Sequence, residues 1–184
     1  MKKSHDNTIA AQLLGHVDPH SAGVIPSLQM STTFVRDRTN VLVRADNSYG
    51  RDHNDGVRLA EEVIAQLERA EDALLFPSGM AAIAAVFQAI PQGAHVLIQS
   101  GIYWGTTKFI EDNTVRLHLN VDYADTSDAA VLDELGSQYD MVFIETPSNP
   151  WLNVTDIADM RRRFPNAVLV VDSTAATPIV TKPI

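Results

Sequence analysis

From Val57 onward, short apolar runs of strand length alternate with segments whose apolar residues recur every three or four positions. This alternation restricts the chain to an α/β architecture built on a largely parallel sheet covered on both faces. Strands are expected at residues 73–76, 94–98, 115–121, 141–144 and 167–171, and helices at 57–70, 80–89, 106–112, 128–135 and 156–164. In the first helix, Leu59, Ala60, Val63, Ile64 and Leu67 share one face, Glu61, Glu62 and Arg69 lie opposite, and Asp55 is placed to cap it. Residues 1 to about 55 differ: they are turn-rich and weakly periodic, as expected of an extended arm that packs on something else.

Charge and residue usage narrow the function classes. Lys and Arg number 14 against 23 Asp and Glu, a net charge of −9, which opposes binding to nucleic acid or anionic lipid. A small-molecule substrate is the better expectation. Cysteine is absent, so disulfides, thiolate zinc sites and a thiol nucleophile are excluded. Met1-Lys2-Lys3 leads into no apolar segment, and no apolar run approaches the roughly 18 residues of a membrane span. A cytoplasmic protein is expected. The six histidines show no metal-ligand spacing. Hydrolase elbow, Walker loop and dinucleotide fingerprint are all missing.

In an open α/β sheet, ligands bind beyond the carboxyl ends of the strands. Four segments fall there. Pro77-Ser78-Gly79-Met80 opens a helix and suits a phosphate, although an ordinary strand-to-helix turn reads the same. Gly101-Ile102-Tyr103-Trp104-Gly105-Thr106 offers an aromatic face to a flat ring, or simply caps the core. Glu145-Thr146-Pro147-Ser148-Asn149-Pro150 holds Asn149 between two prolines, ready for a ligand oxygen or for a structural role in a rigid turn. Asp172 ends the apolar run 167–171, where a carboxylate needs a partner. That partner is either a protonated ring nitrogen or the next turn, through Ser173 or Thr174.

These four loops in this order, preceded by Tyr49-Gly50-Arg51, resemble the Cys/Met-metabolism (transsulfuration) family of pyridoxal-phosphate (PLP) enzymes, which includes cystathionine γ-synthase, the cystathionine lyases and methionine γ-lyase. The joint match runs from about Leu13 to the end, and Gly23-Val24-Ile25-Pro26 and Ser31-Thr32-Thr33-Phe34 look like that family's amino-terminal arm. The resemblance implies an incomplete three-layer α/β sandwich of the aspartate-aminotransferase-like large domain. Residues 1–55 would be an arm contacting a neighbouring subunit and 56–184 the first part of the PLP-binding domain, with the carboxy-terminal domain absent. It also implies PLP-dependent β- or γ-elimination, or γ-replacement, on sulfur amino acids such as cystathionine or a homoserine ester.

Site roles follow from the same resemblance. Tyr49 and Arg51 would reach the cofactor phosphate of the adjoining subunit in a homo-oligomer. Gly79 and Met80 would meet the phosphate through their backbone, Tyr103 would stack on the ring, and Asn149 would contact its hydroxyl. Asp172 would hold the ring nitrogen, with Thr174 close by. The segment Asp52-His53-Asn54-Asp55-Gly56 departs from the family's wording and bears on the substrate rather than the cofactor.

A second departure concerns the Schiff-base lysine. The family carries it in a Ser-x-Thr-Lys motif shortly after the segment ending here at Lys182-Pro183-Ile184, and no such motif occurs in the chain. Lys2, Lys3, Lys108 and Lys182 read as solvated surface charges. No catalytic residue is therefore assigned, and the expectation is that this polypeptide alone does not turn over. Either a complementary carboxy-terminal half supplies the lysine, or the chain is a non-catalytic truncated or split-gene fragment, an assembly partner or a remnant.

Overall fold

The computed structural model describes residues 5–184, so the expectation for Lys2 and Lys3 lies outside the described residues. The chain divides into two units, one running to Leu75 and including Ile184, the other Phe76–Pro183. In the first, helix α1 spans Asp6–Gln12 and helix α2 spans Asp55–Glu68. The cap of α2 is Asn54 rather than Asp55: the Asn54 side chain accepts from the Gly56 N–H. Asp55 is instead the first helical residue, and its carboxylate pairs with Arg44 (2.9 Å) and Arg58. With two arginines in reach, the carboxylate gains more from them than from a helix N–H. The chain between the helices has little regular structure. Its local order comes from side chains such as Asp18, whose carboxylate takes the N–H groups of His20 and Ser21 and the hydroxyls of Ser21 and Ser27.

The second unit is a four-stranded, wholly parallel sheet in the order β2-β1-β3-β4, with β1 at His95–Gln99, β2 at Asn120–Ala124, β3 at Met141–Glu145 and β4 at Val168–Asp172. Between them lie α3 (Gly79–Ala89), α4 (Trp104–Leu117), α5 (Ala129–Glu134), α6 (Ile157–Arg163) and the final short α7 (Thr177–Val180). Strand alternation sorts the core into two layers. Val96, Ile98, Met141 and Phe143 pack with Phe87 of α3 and Ile110 of α4 on one face. Leu97, Val142 and Ile144 pack with Leu132 of α5 and Met160 of α6 on the other. All five residues of β3 are buried, which explains why its sequence is a continuous apolar run rather than an alternating one.

Two expected strands are corrected. Residues 73–76 pair with no strand among the described residues: the Leu75 N–H goes to the Glu61 carboxylate at 2.9 Å, and Leu74, Leu75 and Phe76 are exposed. A short apolar run indicates burial only where a neighbouring strand supplies the ladder. Residues 115–117 belong to the last turn of α4, which is longer than expected. His118 ends that helix in the left-handed conformation (φ 52°), its N–H donating to Thr114 and Val115 carbonyls, so β2 starts only at Asn120. The alternation of Val115, Leu117, Leu119 and Val121 imitates a strand, but Val115 is 85% exposed on the helix surface. No helix among the described residues is long and apolar enough to cross a membrane.

Candidate active site

Strand order decides where a site can form. From β1 the chain passes through α4 to β2 on one side, then returns through α5 to β3 on the other side of β1. The connections leaving β1 and β3 therefore diverge, and they open a crevice beyond the carboxyl ends of these two strands. Helix α3 reaches the same rim. Eleven helical residues and five strand residues both span roughly 16 Å. The tight turn at Pro91–Ala94, closed by the Ala94 N–H on the Pro91 carbonyl at 3.2 Å, reverses the chain between α3 and β1. The amino end of α3 thus comes level with the carboxyl end of β1.

At that end Ser78 caps the helix. Its hydroxyl accepts from the Ala81 N–H (3.1 Å) and its carbonyl from the Ala82 N–H (3.1 Å). The N–H groups of Gly79 and Met80 have no intrahelical acceptor and point out of the helix end. A Cβ at Gly79 would meet nothing within 4 Å, so the space in front of it is open to a ligand. An anion fits there.

The loop after β1 carries Tyr103, which directly precedes α4. A methyl group on Gly105 would sit 2.5 Å from Tyr103 Cε1 and 3.0 Å from Cζ, so the ring lies back over a backbone that must be bare. The loop after β3 is held more elaborately. Ser148, fully buried, donates its N–H to the Asn153 carbonyl (2.9 Å) and accepts the Asn153 N–H on its hydroxyl (3.1 Å). Thr155 donates its N–H to the Thr146 hydroxyl at 3.1 Å. Peptide bonds Thr146–Pro147 and Asn149–Pro150 are cis. Asn149 stands exposed on this frame.

Asp172 ends β4 opposite Glu145 in the strand register. Its Oδ1 accepts both the N–H (3.0 Å) and the hydroxyl (2.5 Å) of Thr174. The turn-capping role is thus real, but it occupies one oxygen, and Oδ2 accepts no hydrogen bond among the described residues. The rim therefore brings Tyr103, Asn149, Asp172 and Thr174 to one end of the sheet, with Gly79 and Met80 at the same level.

Tyr49 and Arg51 lie in the other unit. Tyr49 bridges Thr33 in antiparallel fashion, and Arg51 lies over its ring, with the guanidinium carbon 5.0 Å from the centroid. The Gly50 between them donates its N–H to the Thr32 carbonyl, and a Cβ there would strike the Ser31 carbonyl at 2.6 Å. Both side chains face solvent, and the Arg51 side chain is 80% exposed.

Glu145 had no role assigned from the sequence, yet it connects the rim. Although only 5% exposed, it directs Oε2 at the Tyr103 N–H (2.7 Å) and the Asn149 N–H (3.2 Å). Burial pushes its pKa up and the nearby Asp172 charge adds to this, against the lowering effect of the two N–H donors. Gln99, below it, accepts from the Glu145 N–H (3.0 Å) and the Thr155 hydroxyl (3.4 Å). The available signal was a carboxylate closing a fully apolar strand, the same signal that singled out Asp172. No lysine occurs in residues 77–80, 100–106, 146–156 or 172–176. Lys108 pairs with Asp112 at 2.5 Å, and the Lys182 ammonium donates to the Pro178 carbonyl. The residues present thus fit the ring and phosphate of PLP and leave out its covalent anchor.

The family model for Cys/Met metabolism PLP-dependent enzymes matches residues 7–184. A cystathionine gamma-lyase of Saccharomyces cerevisiae is 33% identical over 92% of this chain and 44% of its own length. A cystathionine beta-lyase of Coxiella burnetii is 28% identical over the whole chain and 48% of its own length. The crystal structure of a cystathionine gamma synthase from Xanthomonas oryzae pv. oryzae, in complex with aminoacrylate and cysteine, superposes with a TM-score of 0.89 at 28% identity, covering 99% of this chain and 48% of that one. The chain spans about half the length of the relatives it matches. Its fold is accordingly an incomplete PLP-dependent-transferase large domain, and the chain belongs to the Cys/Met metabolism family of PLP-dependent enzymes.

Proposed function

We propose that this chain contributes the cofactor cradle of an enzyme that carries out β- or γ-elimination, or γ-replacement, on a sulfur amino acid such as cystathionine or a homoserine ester. The Schiff-base lysine comes from outside residues 1–184. Such an enzyme works on free amino acids in the cytoplasm. The observation that carries the reading is the convergence of Tyr103, Asn149 and Asp172 on the β1–β3 crevice, in a chain of a PLP-dependent family. PLP, when bound, supplies a ring that accepts electron density from the substrate carbon.

The chain's own residues bind and orient. Gly79 and Met80 offer N–H groups to the phosphate, and the α3 dipole adds to their attraction. Tyr103 lies against the ring, and Asn149 donates to its hydroxyl. Asp172 holds a proton at the ring nitrogen through Oδ2, while Thr174 keeps the carboxylate turned by occupying Oδ1. Tyr49 and Arg51 serve the phosphate of an adjoining subunit, with the arm of residues 1–55 docked on that subunit, so the working assembly is at least a dimer.

Trp104, the first residue of α4, and Trp151, on the loop after β3, are 71% and 70% exposed and report occupancy. PLP titrated into the purified chain should quench their fluorescence saturably, and pyridoxal without its phosphate should bind much more weakly. Quenching that rises linearly with PLP, without saturation, would defeat the reading. A second expectation uses Gly105→Ala. Replacing a helical glycine adds roughly 0.5–1 kcal/mol to stability. The new methyl must also turn the Tyr103 ring away. An aromatic contact is worth roughly 0.5–1.5 kcal/mol, so PLP affinity should drop about three- to tenfold while the melting temperature holds or rises. Unaltered affinity would show that Tyr103 is not a stacking partner.

A further inference from the structure

We propose that Glu145 is a positioning residue: one buried carboxylate oxygen ties the Tyr103 loop to the Asn149 loop and so sets the distance between the two side chains that grip the cofactor ring. This rests on the proposed cofactor cradle. The two N–H groups it holds belong to different loops, one 42 residues before Glu145 and the other four residues after it, on opposite sides of the crevice formed by β1 and β3. No other hydrogen bond among the described residues joins these two loops at Tyr103 and Asn149. The tie is also anchored from below, since the Glu145 backbone N–H is fixed by Gln99, itself 1% exposed.

A neutral acceptor would be easier to bury than a carboxylate. An ionised oxygen, however, holds two N–H donors at once more strongly. The charged group that acts on it is Asp172, on the adjacent strand. Gln99, Thr146 and Thr155, packed around it, are uncharged. Glu145 therefore stands between the two loops and beside the carboxylate proposed for the ring nitrogen.

The test needs no turnover. In the cofactor-free chain, the Tyr103 and Asn149 amide NMR signals should titrate together with one midpoint, lying above 4.5, the ordinary value for a glutamate. Glu145→Ala should speed hydrogen exchange at both amides about tenfold, leave the amides of β1 and β3 unchanged, and weaken PLP binding about tenfold or more. Glu145→Gln, whose amide oxygen still accepts, should restore slow exchange and PLP affinity to within about threefold, and the shared titration should vanish. Different midpoints for the two amides, or exchange in Glu145→Ala as slow as in the parent, would overturn the proposal. If Glu145→Ala does not fold, the titration of the parent chain decides alone. Absence of PLP binding by the parent would instead refute the cofactor reading, and the amide titration would still report the tie.

Discussion

Asp172→Asn is expected to weaken PLP binding by about ten- to a hundredfold while leaving the fold intact. The first half follows from charge. A carboxylate beside the ring nitrogen favours its protonated form and makes a charge-assisted bond to it. Asparagine offers no negative charge, and hydrogen bonds to charged groups are worth roughly 1.5–3 kcal/mol. Each 1.4 kcal/mol is about a factor of ten in affinity. The second half follows from which oxygen does what. Oδ1 accepts the N–H and hydroxyl of Thr174, and an asparagine carbonyl can keep both bonds. Its amide group then takes the place of Oδ2, which holds nothing among the described residues. Fluorescence titration with PLP and a thermal melt, run on parent and variant, check both halves. An affinity equal to the parent's would remove the ring-nitrogen role, and a collapse in melting temperature would mean that Asp172 is first a structural cap. In the assembled enzyme, turnover should fall by at least the same factor.

Much of this site was legible because two kinds of sequence signal coincide at it. A buried parallel strand is apolar on both faces, so residues 141–144 announced themselves, and residues 167–171 carry a similar apolar run although β4 is a half-exposed edge strand; the polar residues directly after both runs lie at the carboxyl rim of the sheet. Asp172 was found this way. Glu145 carried the same signal, but its meaning lies in two backbone N–H groups, one of them 42 residues earlier in the chain, and no local pattern encodes that pairing. Gly105 was likewise visible only as a glycine until the Tyr103 ring was seen above it. Local apolarity without a partner strand is misleading. Residues 73–76 have the composition of a strand and no ladder, and residues 115–117 alternate like a strand within a helix whose left-handed cap at His118 was not foreseen. The roles proposed for Tyr49 and Arg51 would rest on contacts with another subunit, which neither periodicity nor a single chain can contain.

Phe143→Ala should cost about 3–5 kcal/mol of stability, the range for emptying an aromatic site in a closed core. Phe143 is 1% exposed at the centre of β3, and its ring packs 5.6 Å from that of Phe87, which in turn lies 6.2 Å from Phe109 of α4. Met141, Ile98 and Ile110 complete the same layer, so collapse into the void would require α3 and α4 to move against the sheet together. Those two helices carry the Gly79 and Tyr103 ends of the rim. The cavity should consequently also loosen the site from behind: PLP affinity should fall even under conditions where the variant remains folded. Val168→Ala gives the control. Val168 is 60% exposed at the start of β4, and its truncation should shift stability by no more than about 0.5 kcal/mol. Urea unfolding of the three proteins measures the difference. A loss below about 1 kcal/mol for Phe143→Ala would mean that this face of the sheet is not closed by α3 and α4. The rim would then lack the rigid backing on which the positions of Gly79 and Tyr103 depend.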